Sequence, residues 1–396
     1  MLPLYKNISR DSFTQTYTAH TGLLFDKFPD GWDQSKNYKP ADDAKKQFLQ
    51  EVIDKYQATE ALLKTNLELA LKRQCQLVAL LGGDAITAST DWRLVSGLGA
   101  AHPYETGFIW HRTLSVPYLP GSSIKGMMRA WATDWLEPPN QLDINRINQL
   151  FGAENDCGAL IVFDALPCKP PELQLDILNP HYSEYYQDPK NPPADYLSPV
   201  PVFFLTVAPG QRFEFSLAPR LGASKQPQQD LEDGLELLKG ALETLGAGGK
   251  TAVGYGFFNE TIESQQRRED TKNANKRAED KAAKEAKTKK QAEEKGITGL
   301  AEQIYSTAQL ENWETCESNP QFYQTMLDYI RQIDTEPNQK IQQDAISIVK
   351  DIVEKKYPGI MQDPERTEGK KNKLAYKPKP IEIAQKLLAI INKQGE

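Results

Sequence analysis

Lys125 and Arg129 stand one helical turn apart in the run Pro117-Tyr118-Leu119-Pro120-Gly121-Ser122-Ser123-Ile124-Lys125-Gly126-Met127-Met128-Arg129. Cations at i and i+4 share a helix face. Ser122 or Ser123 can cap the start of that helix, where free backbone amides attract anions. Gly126 carries no side chain that would hold a ligand away from the backbone. This combination suits a phosphate group; an ordinary capped surface helix with solvated charges is the alternative.

A second run, Leu245-Gly246-Ala247-Gly248-Gly249-Lys250-Thr251-Ala252-Val253-Gly254-Tyr255-Gly256, contains Gly-Lys-Thr. A nucleotide-binding P-loop needs its first glycine where Thr244 stands, and it runs from strand into helix, whereas this segment follows a helical pattern. Nor does Gly254-Tyr255-Gly256 begin a dinucleotide fingerprint, since Asn259 takes the place of the third glycine. Gly246, Gly248 and Gly249 instead permit close approach of another backbone, with Lys250 adding charge and Thr251 a hydroxyl. A flexible helix C-cap ahead of a strand is the plainer reading. A third run, Leu178-Asn179-Pro180-His181-Tyr182-Ser183-Glu184-Tyr185-Tyr186, lies in a proline-rich stretch over 167–201 that is too long for a simple connection. His181 and Tyr182 can stack on splayed bases or pack on a neighbouring subunit.

Catalytic chemistry has weaker support. His20, His111, Tyr118 and Lys125 could serve as acid, base and electrostatic groups for attack by a ribose 2′-hydroxyl, but no titratable pair stands out along the chain. Asp164 and Asp176 could in principle bind a metal, but isolated acids at strand ends are usually structural. Cys75, Cys157, Cys168 and Cys316 form no CxxC pair, and they and the four histidines are dispersed. That pattern indicates neither zinc nor disulfides, and the cysteines are expected to be packing residues. No metal or other cofactor is expected.

The elements that must hold these motifs follow from periodicity. Phe48, Val52, Tyr56, Leu63, Leu67, Leu71 and Leu77 mark a long helix or a helical pair over 41–81, stopped by Gly82-Gly83. Ile86, Thr87, Trp92, Leu94 and Val95 suggest a strand ending at Gly97 and Gly99, followed by a hairpin-like stretch over 106–118. On the helix after Pro120, Ile124, Met128, Trp131 and Trp135 share the core face. Residues 159–165 and 202–207 read as buried strands, with 212–217 alternating like a partner strand. Leu231, Leu235, Leu238, Leu242 and Leu245 line an amphipathic helix, and 251–258 reads as a last strand. The order is βαββαβ, an α+β fold of ferredoxin-like or RRM-like type.

Four segments are expected: a helical part at 1–83 packed on the core, the α+β domain at 84–263 with its insertion, a charged linker at 264–296, and an all-helical C-terminal domain at 297–396. The linker, helical or disordered, has too few apolar residues for a core. The terminal domain follows Leu300, Ile304, Leu310, Trp313, Phe322, Met326, Ile330, Ile341, Ile346 and Ile352 and ends in a helix over 381–391 after a lysine-rich loop at 370–379.

The chain of 396 residues has a formal charge of −7, which argues against a generally basic nucleic-acid binder and confines any RNA contact to local surfaces. No apolar stretch approaches the ~20 residues of a membrane span. Residues 1–11 lack the apolar core of a signal peptide. A cytoplasmic protein without membrane partners is expected.

The three motifs at 117–126, 179–182 and 245–256, in that order, resemble the RAMP superfamily, and within it the family forming the sixth Cmr subunit of type III-B CRISPR effector complexes. The runs Trp92-Arg93-Leu94-Val95-Ser96-Gly97-Leu98-Gly99 and Glu105-Thr106-Gly107 fit the same resemblance, which covers residues 41–260. It implies a RAMP domain acting in antiviral defence as a non-catalytic subunit that binds the 3′ region of the guide RNA (crRNA) and the guide–target duplex. The implied partners are guide RNA, target RNA and other Cmr subunits, especially the repeated backbone subunit and the small helical subunit. Carried over by position, Lys125 and Arg129 would meet guide phosphates, 246–256 would form the glycine loop beside them, and 170–200 a thumb. A RAMP-type endoribonuclease and a protein scaffold without RNA contact are the alternatives. The part after Ser264 has no counterpart in that family.

Overall fold

A computed structural model describes residues 20–33, 39–40, 43–139, 141–182, 185, 188, 190, 192–194, 199, 201–316, 319–368 and 373–394. Two compact units divide the chain, residues 1–268 and 269–396.

In the first unit a short helix, α1 (Thr21–Lys27), is followed by a minor pair of two-residue strands, β1 (Trp32–Asp33) and β2 (Lys39–Pro40). The periodic stretch then forms a helical pair, α2 (Ala44–Ala58) and α3 (Glu60–Leu80). Thr59 breaks it, its hydroxyl donating to the carbonyls of Lys55 and Tyr56 at 3.1 Å each and so competing with the helical ladder. Phe48, Val52, Tyr56, Leu63 and Leu67 are buried as their spacing demands, but Leu77 is exposed.

The central sheet begins with β3 (Asp84–Thr90), which ends earlier than the apolar pattern suggests; residues 91–99 run on irregularly. Next come α4 (Gly121–Asp134), α5 (Ile144–Phe151), the small hairpin β4 (Gly152–Ala153) and β5 (Asp156–Cys157), and then β6 (Leu160–Val162) and β7 (Leu166–Pro167). An inserted hairpin, β8 (Leu173–Leu178) with β9 (Val202–Val207), precedes β10 (Arg212–Pro219), α6 (Pro227–Thr244) and β11 (Phe258–Glu260). The sheet order is β11-β3-β10-β6, with β7 extending the β6 side and every pair antiparallel. Without the insertion, this is the expected βαββαβ fold.

The strand 202–207 departs from expectation. It pairs with 173–178 and not with 212–217, and it joins the remainder through a bridge between Val207 and Leu94. Its apolar run reads as a sheet-core strand because both kinds of strand are buried, and composition does not identify a partner. The stretch 159–165 is strand only at 160–162, and 251–253 is a 3₁₀ turn before the short β11.

Helices α4 and α6 cover one face of the sheet. Phe213, Phe215 and Leu217 alternate along β10 into a continuous core with Ile124, Met128, Leu231, Leu235, Leu238 and Leu242. Between them on β10, Glu214 and Ser216 meet α3: Cys75 donates to the Glu214 carboxylate at 3.3 Å, and Gln74 reaches the Asp164 carbonyl at 3.0 Å. Of the predicted core face of α4, Trp131 is partly buried, but Trp135 is 56% exposed because it lies past the last helical turn. Cys75 and Cys157 are also exposed, contrary to the packing role expected of them.

A 33-residue helix, α7 (Ile262–Glu294), takes up the charged stretch expected as a linker. The second unit then folds as α8 (Leu300–Leu310), α9 (Pro320–Thr335), α10 (Gln339–Lys356) and α11 (Pro378–Gln394) around Trp313, Phe322, Met326, Ile330, Val349 and Leu387. It is not wholly helical: β12 (Thr367–Glu368) pairs with β13 (Lys373–Leu374). Part of the lysine-rich loop at 370–379 lies outside the described residues. No described helix is long and apolar enough to cross a membrane.

Candidate nucleic-acid interface

The start of α4 is held by a residue from another element. Pro120 is the N-cap, so both serines fall inside the first turn and neither caps the helix. Asp164, between β6 and β7, does so instead, accepting the Gly121 amide at 2.7 Å. Only glycine fits at 121, since a Cβ there would strike the Val162 carbonyl oxygen and the backbone of Phe163. The positive end of the helix is therefore already met by a carboxylate, and attraction for an anion must come from side chains.

Those side chains are Lys125, Arg129 and Arg220. Partial burial first, then the nearby Arg220 and, more weakly, Arg129 hold the Lys125 ammonium below the ordinary lysine pKa, with Cys157 opposing. Like charges gathered this way favour an added anion. Arg129, however, is committed to the protein: it donates to the Gly152 carbonyl at 2.7 Å and to Asn148 Oδ1 at 2.8 Å, tying α4 to α5 and the hairpin after it. Arg220 uses its Nε–H on the Gly158 carbonyl at 3.0 Å. Gly126 faces open space, with nothing within 4 Å of where a Cβ would stand.

The glycine loop is built against residues 93–98. The Gly249 amide donates to the Val95 carbonyl at 2.7 Å, Gly256 to Arg93 at 2.9 Å, and Ala247 to Gly256 at 2.7 Å. At Gly248, φ is +92° and a Cβ would collide with the Val95 carbonyl oxygen, so only glycine suits this close approach. The Gly248 amide takes no part in these bonds. Lys250, itself at a φ of +60°, sets its ammonium 5.6 Å from the Tyr255 ring and 6.0 Å from Phe204. Thr251 opens the 3₁₀ turn. The Tyr255 hydroxyl donates to Asp176 at 2.6 Å, and Arg93 donates to the same oxygen at 2.8 Å. Burial and that bond push the Tyr255 phenol up to about 12. Asp176 thus fixes β8 to the loop.

Two motifs more than a hundred residues apart line one cleft of about 330 Å³. Ser123, Ile124 and Met127 of α4 form one wall, Gly246 to Gly249 another, and Ser96 to Gly99 a third. Apolar side chains, hydroxyls and glycine backbone meet there, the mixture that accommodates a base and its ribose-phosphate. Ser122 is exposed beside it. His181 and Tyr182 follow the end of β8, their rings 6.4 Å apart, and neither lines the cleft. The rest of their aromatic run falls largely outside the described residues.

The residues weighed for acid–base catalysis lie nearer one another than their spacing implies. His111 meets Tyr118 edge-on at 5.2 Å. Burial first lowers the His111 pKa, while the charge of Asp164 opposes the shift. His20 Nδ1 accepts the Leu23 amide at 3.0 Å and its Nε2 lies 3.2 Å from the His111 carbonyl, so both ring nitrogens serve structure. His111 Nδ1 likewise accepts the Leu114 amide at 3.3 Å. Among the described residues no group of three His, Cys, Asp or Glu side chains is arranged to hold a metal ion.

Sequence reasoning did not single out Arg220, the Asp164 cap or the Arg93–Asp176–Tyr255 cluster as parts of this site. The run Ser96-Gly97-Leu98-Gly99 supplies a cleft wall, and its paired glycines are the sequence signal for it.

A family model described as RAMP superfamily matches residues 80–259. The CRISPR system Cmr subunit Cmr6 of Pyrococcus furiosus is 31% identical over 232 residues, 44% of this chain and 66% of the relative. That of Saccharolobus solfataricus is 29% identical over 157 residues, 39% of this chain and 49% of the relative. The chain therefore spans less than two thirds of either relative's length. A cryo-EM structure of the type III-B Cmr-beta complex bound to cognate target RNA contains a chain similar over 58% of this one and 75% of its own length, with 20% identity and a TM-score of 0.43.

Proposed function

We propose, from the premise that residues 80–259 form a RAMP-superfamily domain related to Cmr6 proteins, that this chain is a non-catalytic RNA-holding subunit of a type III-B Cmr effector complex. In this reading it grips the guide RNA toward its 3′ region, beside the repeated backbone subunit and the small helical subunit, and contributes to antiviral defence in the cytoplasm.

One observation carries the reading: the α4 start and the glycine loop, each suited to a ribose-phosphate strand, meet across a single cleft. Lys125 and Lys250 do not line the cleft, but each is next in sequence to a lining residue, Lys125 to Ile124 and Lys250 to Gly249, and would supply charge at its rim. The Gly248 amide, which has no hydrogen-bond partner among the described residues, is a donor for a phosphate or base oxygen. Arg129 braces α4 through Gly152 and Asn148 and adds like positive charge near Lys125. His181 and Tyr182 belong to the inserted hairpin, which reaches toward the guide–target duplex as a separate element.

The test is guide occupancy of the co-expressed complex carrying Lys125→Ala with Lys250→Ala. Loss of two phosphate contacts lowers the salt slope of guide binding by about 1.4 for a single strand. Unchanged occupancy and slope remove the cleft from the reading. The ribonuclease alternative is checked on the same preparation with labelled guide precursor: specific scission abolished by His111→Ala would replace a holding role with a catalytic one.

A further inference from the structure

Between Lys272 and Lys290, helix α7 carries eight Lys or Arg residues against three Asp or Glu, an excess of five positive charges in a chain whose total is −7. Every residue of this stretch except Thr288 is exposed. Its C-terminal half holds Lys281, Lys284, Lys287 and Lys290 at intervals of three. Positions three apart form a continuous ridge on a helix, with Cβ atoms about 5–6 Å apart. Glu285 is the one carboxylate between 281 and 292, and it lies 3.9 Å from Lys281. No other ion pair among the described residues falls in this stretch.

We infer that the ridge Lys281–Lys284–Lys287–Lys290 is a second binding surface for the phosphate backbone of single-stranded RNA, separate from the RAMP-domain cleft. Adjacent like charges on a helix destabilise it, and a polyanion laid along the ridge turns that repulsion into attraction while releasing counterions. A partner protein fits the surface less well. From 269 to 291 the helix has no apolar side chain larger than alanine, so it lacks the buried aromatic or aliphatic anchor on which protein interfaces rest. Lysines without planar forks or stacking partners recognise charge and not bases, so binding is independent of sequence. The inference goes beyond the proposed role of the RAMP domain and needs no guide in its cleft.

The experiment uses the full chain free of RNA, a fluorescent 20-nucleotide oligouridylate and anisotropy across 50–200 mM salt. The variant is Lys284→Gln with Lys287→Gln and Lys290→Gln; glutamine keeps helix propensity, and circular dichroism verifies the helix. Three lost contacts reduce the salt slope by about 2, so the affinity lost between 50 and 200 mM shrinks roughly 18-fold. Glu285→Gln, which removes the opposing carboxylate, tightens binding. Absence of oligouridylate binding by the parent chain, or an unchanged slope in the triple variant, overturns the inference. Guide occupancy of a complex carrying the same triple variant stays at the parent level if the RAMP cleft holds the guide, so failure of the ridge and failure of the cleft give different results.

Discussion

Lys125 and Arg129 share a helix face but have opposite expected behaviour when each is replaced by alanine. Arg129 donates to the Gly152 carbonyl at 2.7 Å and to Asn148 at 2.8 Å, and hydrogen bonds from charged donors contribute about 1.5–3 kcal/mol each. Both bonds are partly solvated, so Arg129→Ala lowers the unfolding free energy of the first unit by about 2–4 kcal/mol. Lys125 has no hydrogen-bond partner in the protein among the described residues and faces the like charge of Arg220, so Lys125→Ala changes stability by less than about 0.5 kcal/mol. If the proposed function holds, its effect falls on RNA binding, where one lost phosphate contact lowers the salt slope by about 0.7. Urea unfolding and a salt series on the same two proteins separate the effects. If Arg129→Ala keeps parental stability and lowers the slope as Lys125→Ala does, Arg129 is a phosphate ligand and its structural assignment is wrong.

Gly248→Ala places a side chain at a φ of +92° against the Val95 carbonyl oxygen, which should cost about 1–3 kcal/mol in strain alone and loosen the loop; hydrogen exchange at the Gly249 and Gly256 amides should rise, and unchanged protection would contradict the packing described. The lowered His111 pKa means that the folded state binds fewer protons than the unfolded state below the ordinary histidine pKa of about 6.5. The stability it contributes is present above that pH and lost as pH falls, so His111→Asn should flatten the decline in unfolding free energy between pH 7 and 5; a parallel decline would refute the burial argument.

Much of this architecture was legible because its causes are local. Alternation over 212–217 and the leucine spacing from 231 to 242 each follow from burying one face, and the order of elements then specifies the ferredoxin-like plan. Partner choice was less legible. The strand 202–207 pairs with 173–178, which is hidden in a proline-rich stretch whose composition suggests a loop. Ser122 and Ser123 carry the usual cap chemistry, yet the cap comes from Asp164, 43 residues away, because the N-cap position falls on Pro120, two residues before Ser122. In the site, the motifs identified the cleft's two main walls, while Arg220 belongs to no motif and reaches Lys125 only through the tertiary fold.

The most direct measurement of the central claim is crosslinking of an assembled complex containing 4-thiouridine throughout its guide, followed by mapping of the modified peptides. A strand held in the cleft labels both residues 121–130 and residues 245–256 of this chain, and Lys125→Ala with Lys250→Ala reduces both signals together. Guide crosslinks that fall elsewhere on the chain while both segments remain unlabelled would contradict it.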